Sequence, residues 1–242
     1  MIDVEAAGDV RVVSIDRDEK RNALDVGHCE ALRRSIGGCA SAGARAVVVT
    51  GKGRAFCAGA DFGEVGDERF RGALYGTLRE VARVPIPVVA AINGPAIGAG
   101  LQLAIACDLR VAAPDARFSL PSARLGLAVD PWTIRRLASL AGAGTAAALM
   151  LACADLTAGQ ALAAGLADQA GDLEAAVAVA ARIASCAPLT LAYSKSVIQS
   201  LASSRVDEQS ISAAFDACWA SADFAEGLLA RSERRPPRFE GQ

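Results

Sequence analysis

"INGPAIGAGLQL", residues 92–103, leads an apolar strand into Gly94, Gly98 and Gly100 and puts Gln102 in the first turn of what reads as a helix. Glycines at this spacing mark a place where backbone runs very close to something. The amide of Gln102 has no proton to exchange near neutral pH, so a group bound there does not meet a carboxylate. A second stretch is built alike: "ARAVVVTG" (44–51) runs into "GRAFCAGAD" (53–61), as "VPIPVVAAI" (84–92) runs into the glycine turn. If adjacent strands set these turns side by side, two backbone N–H groups meet at one point. One of them then stands at a helix N-terminus, where unpaired N–H groups and the helix dipole favour negative charge. Such a donor pair forms an oxyanion hole.

Two other readings stay open on the glycines alone. Gly94, Gly98 and Gly100 fit the G-x-x-x-G-x-G of short-chain dehydrogenases, which needs a Tyr-x-x-x-Lys downstream; neither Tyr75 nor Tyr193 is followed by that lysine. Alternatively, the glycines serve only the close packing of helix on strand.

Composition bounds the rest. The 242 residues are 52% hydrophobic, with a mean hydropathy of +0.30, which is enough for a sizeable core in one domain or in one domain with a small appendage. A net charge of −2 gives no electrostatic case for nucleic acid or an anionic membrane. The basic tail "RSERRPPRF" reads as solvated surface or interface. The beginning "MIDVEAAGDV" lacks the basic and apolar regions of a signal peptide, and no apolar run reaches the ~20 residues of a transmembrane helix. Seven scattered cysteines without a CxxC pair suit reduced, buried thiols in a cytoplasm. The one histidine, His28, rules out a His-based metal cluster and reads as a surface helix position; no metal is expected.

Periodicity predicts an α/β organisation. Strands are expected at 10–16, 44–51, 84–92 and in "DLRVAA", with helices over 26–39, 67–83 and from the glycine turn to Cys107. Beyond Pro131 the reading is helical: 131–141, 145–152, 157–165, 172–186, 188–201 and 207–231.

Taken in order, "RNAL" (21–24), "GRAFCAGAD" (53–61), "PVVAAINGPAIGAGLQLAIACDLRVAAPDARF" (87–118) and "LTAGQALAAGLAD" (156–168) resemble the crotonase superfamily, the enoyl-CoA hydratase/isomerase family. The resemblance implies a spiral of ββα units over residues 1–186. It also implies a helical region over 187–242 that supports homotrimers, often paired into hexamers. It implies an acyl-CoA ligand and no separate cofactor. The thioester carbonyl would take N–H bonds from Ala60 and Ala99. The CoA part would run past Arg21, Asn22 and Ala23 and along Ala58, Gly59, Asp61, Phe62 and Gly98, with Trp132 at the acyl mouth.

Two departures carry the functional expectation. The family's hydratases hold a water between two glutamates, at the positions of Gln102 and Ser122 here. Neither Gln nor Ser exchanges a proton with water near neutral pH. Asp130 remains the candidate acid or base; Asp130-Pro131 is equally an N-cap followed by a first-turn proline. The expectation is an acyl-CoA-binding protein of fatty-acid metabolism with little or no hydration, able to present its ligand to other fatty-acid enzymes. A working lyase or isomerase using Asp130, or a water held by Gln102 and Ser122, is the alternative, and a scaffold with a vestigial site is a third.

Overall fold

A computed structural model describes residues 1–61, 63, 67–202, 209, 213, 216–217 and 220–242. Its main sheet is built on valine-rich runs. Ile2–Ala7 (β1) and Val10–Ile15 (β2) form an antiparallel hairpin, and Ala46–Gly51 (β3) lies parallel to β2. Val88–Ile92 (β4) lies parallel to β3. A short β5, Pro95–Ile97, leaves this sheet, and Leu109–Ala112 (β6) returns to β4. Arg117–Ser119 (β7) and Asp155–Thr157 (β8) join β5 in a second sheet of three strands, and Gln169–Ala170 (β9) closes the first at β6.

Alternation along β3 explains why its sequence is apolar throughout. Val47 and Val49 face a large core shared with Val26–Ser41 (α1), Glu68–Arg83 (α2) and Ala99–Ala106 (α3). Ala46 and Val48 face a smaller core under Leu173–Ala184 (α6). Both faces are covered, so no polar side is needed.

The remaining helices are Pro131–Met150 (α4), Ala158–Ala163 (α5), Pro188–Ser200 (α7) and, near the C-terminus, Ala222–Glu233. Residues 131–141 and 145–152 were expected as two helices, and α4 is indeed two helical stretches joined across a kink where Gly142 takes φ 78°. The expected strand 84–92 begins only at Val88, because Pro85 and Pro87 have no N–H for a ladder. Of the helix expected over 207–231, most of residues 207–219 lie outside the described residues, and the described part, Ala222–Glu233, continues two residues past the expected end. The tail "RSERRPPRF" folds back: Arg235 pairs with Glu226 at 2.6 Å. No single helix among the described residues is long and apolar enough to cross a membrane. Five cysteines are buried and Cys186 is exposed; Cys218 lies outside the described residues.

The glycines of the opening stretch prove to serve close approach between two loops. A Cβ on Gly94 would stand 2.1 Å from the Arg54 carbonyl oxygen, and one on Gly100 2.1 Å from that of Cys57. Gly94→Ala is therefore expected to lower stability by ~2 kcal/mol or more in urea unfolding, since backbone cannot yield as a side chain can.

Candidate functional site

The loop after β3 is held between two neighbours. On one side Leu24 N–H donates to Gly59 O (2.8 Å) and Asp61 N–H to Leu24 O (2.7 Å). On the other, Cys57 N–H donates to Pro95 O and Ile97 N–H to Cys57 O, both at 3.0 Å. Because Gly59 and Asp61 spend their groups on Leu24, the N–H of Ala60 faces away from it. The glycine turn lies next to it: a Cβ on Gly59 would be 3.8 Å from the Ala99 nitrogen, and one on Gly98 4.0 Å from the Gly59 α-carbon. Gly59 and Gly98 take φ 110° and 55°, which favours glycine at both turns.

Ala99 opens α3, so its N–H has no acceptor within the helix. Neither the Ala99 nor the Ala60 N–H makes a hydrogen bond among the described residues. Two neighbouring free donors, one at a helix N-terminus, can accept an oxygen that gathers negative charge.

Gln102 is 4% exposed, and its Nε2 donates to Thr133 Oγ1 at 3.0 Å. The Thr133 hydroxyl donates in turn to Asp130 Oδ1 at 2.5 Å. This gives a one-way chain, amide to hydroxyl to carboxylate, across the α3–α4 contact. A carboxylate at 102 would compete with Asp130 for the one hydroxyl proton of Thr133. Asp130 does stand at the N-cap position of α4 with Pro131 after it, but its carboxylate accepts no backbone N–H there. The expected capping bond is replaced by the bond from Thr133. Tyr75 adjoins Asp130; burial first, then the Asp130 charge, pushes its phenol up. Thr133 and Tyr75 were not singled out in the sequence. The Asp-x-x-Thr spacing across the start of α4 would have pointed to Thr133, whereas nothing local points to Tyr75.

Ser122 begins the turn Ser122–Leu125, half-buried, and its hydroxyl makes no hydrogen bond among the described residues. Arg21 is exposed in a left-handed conformation, and its carbonyl accepts the Ala58 N–H. Asn22 is fully buried and spoken for: it accepts the Arg17 N–H and donates to the carbonyls of Lys52 and Ala55. Ala23 is covered behind it. Asp61 ties the loops together through Lys20 (2.9 Å) and Arg17 (2.8 Å), and the Lys20 bond leads the causes that hold its carboxyl at about 2. Phe62 lies outside the described residues. His28, half-buried on α1, bonds Asp25 at 2.8 Å.

Beside Asp130 opens a cavity of about 800 Å³ between α2, α7 and the start of α4, with Tyr75, Trp132 and Leu189 in its walls. Ala60 and Ala99 are not wall residues; the Gln102–Thr133–Asp130 chain joins their turn to it.

Comparison with known proteins identifies the family. The protein-family model described as enoyl-CoA hydratase/isomerase matches residues 5–242. A probable enoyl-CoA hydratase of Mycobacterium tuberculosis is 45% identical over 242 residues, covering 100% of both chains. The short-chain-enoyl-CoA hydratase of Clostridium acetobutylicum is 31% identical, covering 98% of this chain and 96% of its own. The crystal structure of an enoyl-CoA hydratase from Bacillus anthracis superposes with a TM-score of 0.89 at 31% identity, covering 100% of this chain and 99% of that one.

Thr133→Val should leave the buried Gln102 amide without its acceptor and Asp130 without its donor, costing about 1–3 kcal/mol in urea unfolding, while Thr133→Ser restores most of it. The lowered Asp61 pKa gives a pH dependence of fixed sign. Its contribution is present above the usual carboxylate value near ~4 and is lost as the pH falls through about 2. A carbon-detected NMR titration should find Asp61 still ionised at about pH 3, where an ordinary aspartate is largely protonated.

Proposed function

The chain belongs to the enoyl-CoA hydratase/isomerase family, and we propose that within it this protein binds fatty acyl-CoA thioesters without hydrating them appreciably. One observation carries this reading: free N–H groups at Ala60 and Ala99 adjoin a first helical turn that bears an amide, Gln102, and not a carboxylate. The N–H pair would hold the thioester oxygen and polarise the carbonyl. Adding water across the neighbouring double bond needs a base to take a proton from water and an acid to return one to carbon. Gln102 and Ser122, at the two positions the family resemblance assigns to those roles, offer neither.

The acyl group would leave the N–H pair past Asp130 and enter the cavity lined by Trp132 and Leu189. The CoA part would follow the Arg21–Ala23 and Ala58–Asp61 backbones. Because Asn22 and Asp61 are engaged with protein groups, backbone atoms and Arg21 would carry most of that contact. We further propose a cytoplasmic homotrimer or pair of trimers that presents acyl-CoA to other enzymes of fatty-acid metabolism, with no cofactor of its own.

A second reading is favoured by one observation: Asp130 stands in the cavity wall with Tyr75 beside it. Asp130 would then serve as acid or base in a lyase or isomerase reaction.

Calorimetric titration with acyl-CoAs of increasing length tests the first reading and should give saturable binding; silence at every length overturns it. Crotonyl-CoA hydration should stay at background, since the two missing groups are each worth typically ~10²–10⁴-fold, and Gln102→Glu with Ser122→Glu should raise it. Brisk wild-type turnover that disappears in Asp130→Asn establishes the second reading instead.

A further inference from the structure

Helix α2 presents a stripe to the cavity: Tyr75, Leu78, Arg79, Ala82 and Arg83 all line it, at the spacing of one helical face. The stripe is graded. At its N-terminal end Tyr75 adjoins the Asp130 carboxylate. Arg83, eight residues on, lies about 12 Å further along the axis. Leu78 and Ala82 alternate with Arg79 and Arg83 along this face, and Leu189 and Ala192 of α7 line the cavity with them. The stripe thus has Asp130 beside one end, Arg79 one turn along and Arg83 at the other end.

Among the described residues those two cations have no counter-charge in contact. Arg79 and Arg83 are exposed and form no ion pair or hydrogen bond among the described residues. The third cation of the wall behaves differently: Lys195 is 7% exposed and spends its ammonium on Asp108 (2.8 Å) and on the carbonyls of Val81 and Ile86. The acidic residue of the same stretch, Glu80, points elsewhere, toward Gly37 on α1. Charge on α2 is therefore separated, with guanidinium at the cavity and carboxylate against the neighbouring helix.

Two guanidinium forks one turn apart suit a carboxylate, which each can grip through paired N–H bonds. The orientation follows from the gradient. An anionic chain end is repelled at Asp130 and attracted at Arg79 and Arg83, so an acyl group that enters past Asp130 would carry its charged end away from it, toward the arginines. We propose that Arg79 and Arg83 form a subsite for a terminal carboxylate and make this protein selective for ω-carboxyacyl thioesters. The proposal rests on the reading of the cavity as the acyl chamber and adds to it the chemical class of the acyl group.

The test compares two thioesters of equal chain length, decanoyl-CoA and sebacoyl-CoA, by calorimetry on the full chain. Sebacoyl-CoA should bind about tenfold more tightly, as expected for charge-assisted hydrogen bonds at a half-open site, and the difference should shrink as salt is added. In Arg79→Gln/Arg83→Gln the preference should vanish while decanoyl-CoA affinity stays within about threefold of the wild type. Arg79→Lys/Arg83→Lys, which keeps the charge and loses the fork, should retain part of it. Decanoyl-CoA binding as tightly as sebacoyl-CoA, or a preference that survives the Gln variant, overturns the subsite and leaves the acyl-CoA reading standing. Failure of both thioesters to bind overturns the acyl-CoA reading and the subsite with it.

Discussion

Helix α3 is buried along its whole length, and the site depends on how its two ends are treated. A helix in the core leaves N–H groups at one end and carbonyls at the other that must find partners or pay a desolvation cost. At the C-terminal end the protein supplies partners in abundance. Arg136, 1% exposed, donates to the carbonyls of Ile105 (3.0 Å) and Cys107 (3.4 Å), and Arg110 donates to Cys107 O at 3.0 Å. At the N-terminal end no group among the described residues takes the Ala99 N–H. With its C-terminal carbonyls paired and its first N–H open, the helix turns the positive end of its dipole toward the glycine turn.

The same arrangement fixes α4. Thr133 and Arg136 lie three residues apart on one face of α4; the first accepts from Gln102 in the first turn of α3, and the second reaches the carbonyls of its last turn. A helix pinned at both ends of its neighbour cannot slide or rotate, so Asp130 is held at a set place beside the glycine turn. Burial keeps Arg136 a reluctant cation, its pKa lowered to about 10, with Arg110 adding repulsion. Arg110 has Asp168 at 2.7 Å, while Arg136 relies on helix carbonyls for compensation.

Around this frame the polar residues divide into those consumed by the fold and those left over. Asn22 and Asp61 bind loop to loop, and Lys195 pins α7 to the end of α2. Cys57, fully buried between the loops, has its thiol pushed up to about 12 by desolvation and is chemically quiet. Those left over among the described residues include the N–H groups of Ala60 and Ala99, the Ser122 hydroxyl, and Arg79 and Arg83 of the cavity wall. The first turn of α3 carries no carboxylate among them.

The sequence by itself determined the fold class, the long strands and helices, and the two glycine loops. Each is written locally, in hydrophobic period, in prolines and in glycines that no larger residue can replace. The short strands β5, β7, β8 and β9 were not legible, because two or three residues carry no period and their pairing comes from distant chain. The edge strand β1 was missed for another reason: its residues are largely exposed, so alternation is not enforced. Gln102 and Asp130 could be named from sequence, but their connection through Thr133 could not, since it depends on which face α4 turns to α3. That Arg79 and Arg83 form no ion pair among the described residues belongs to the same class. Chemical identity is a property of a residue, whereas the partner it finds, or fails to find, exists only after the chain has packed.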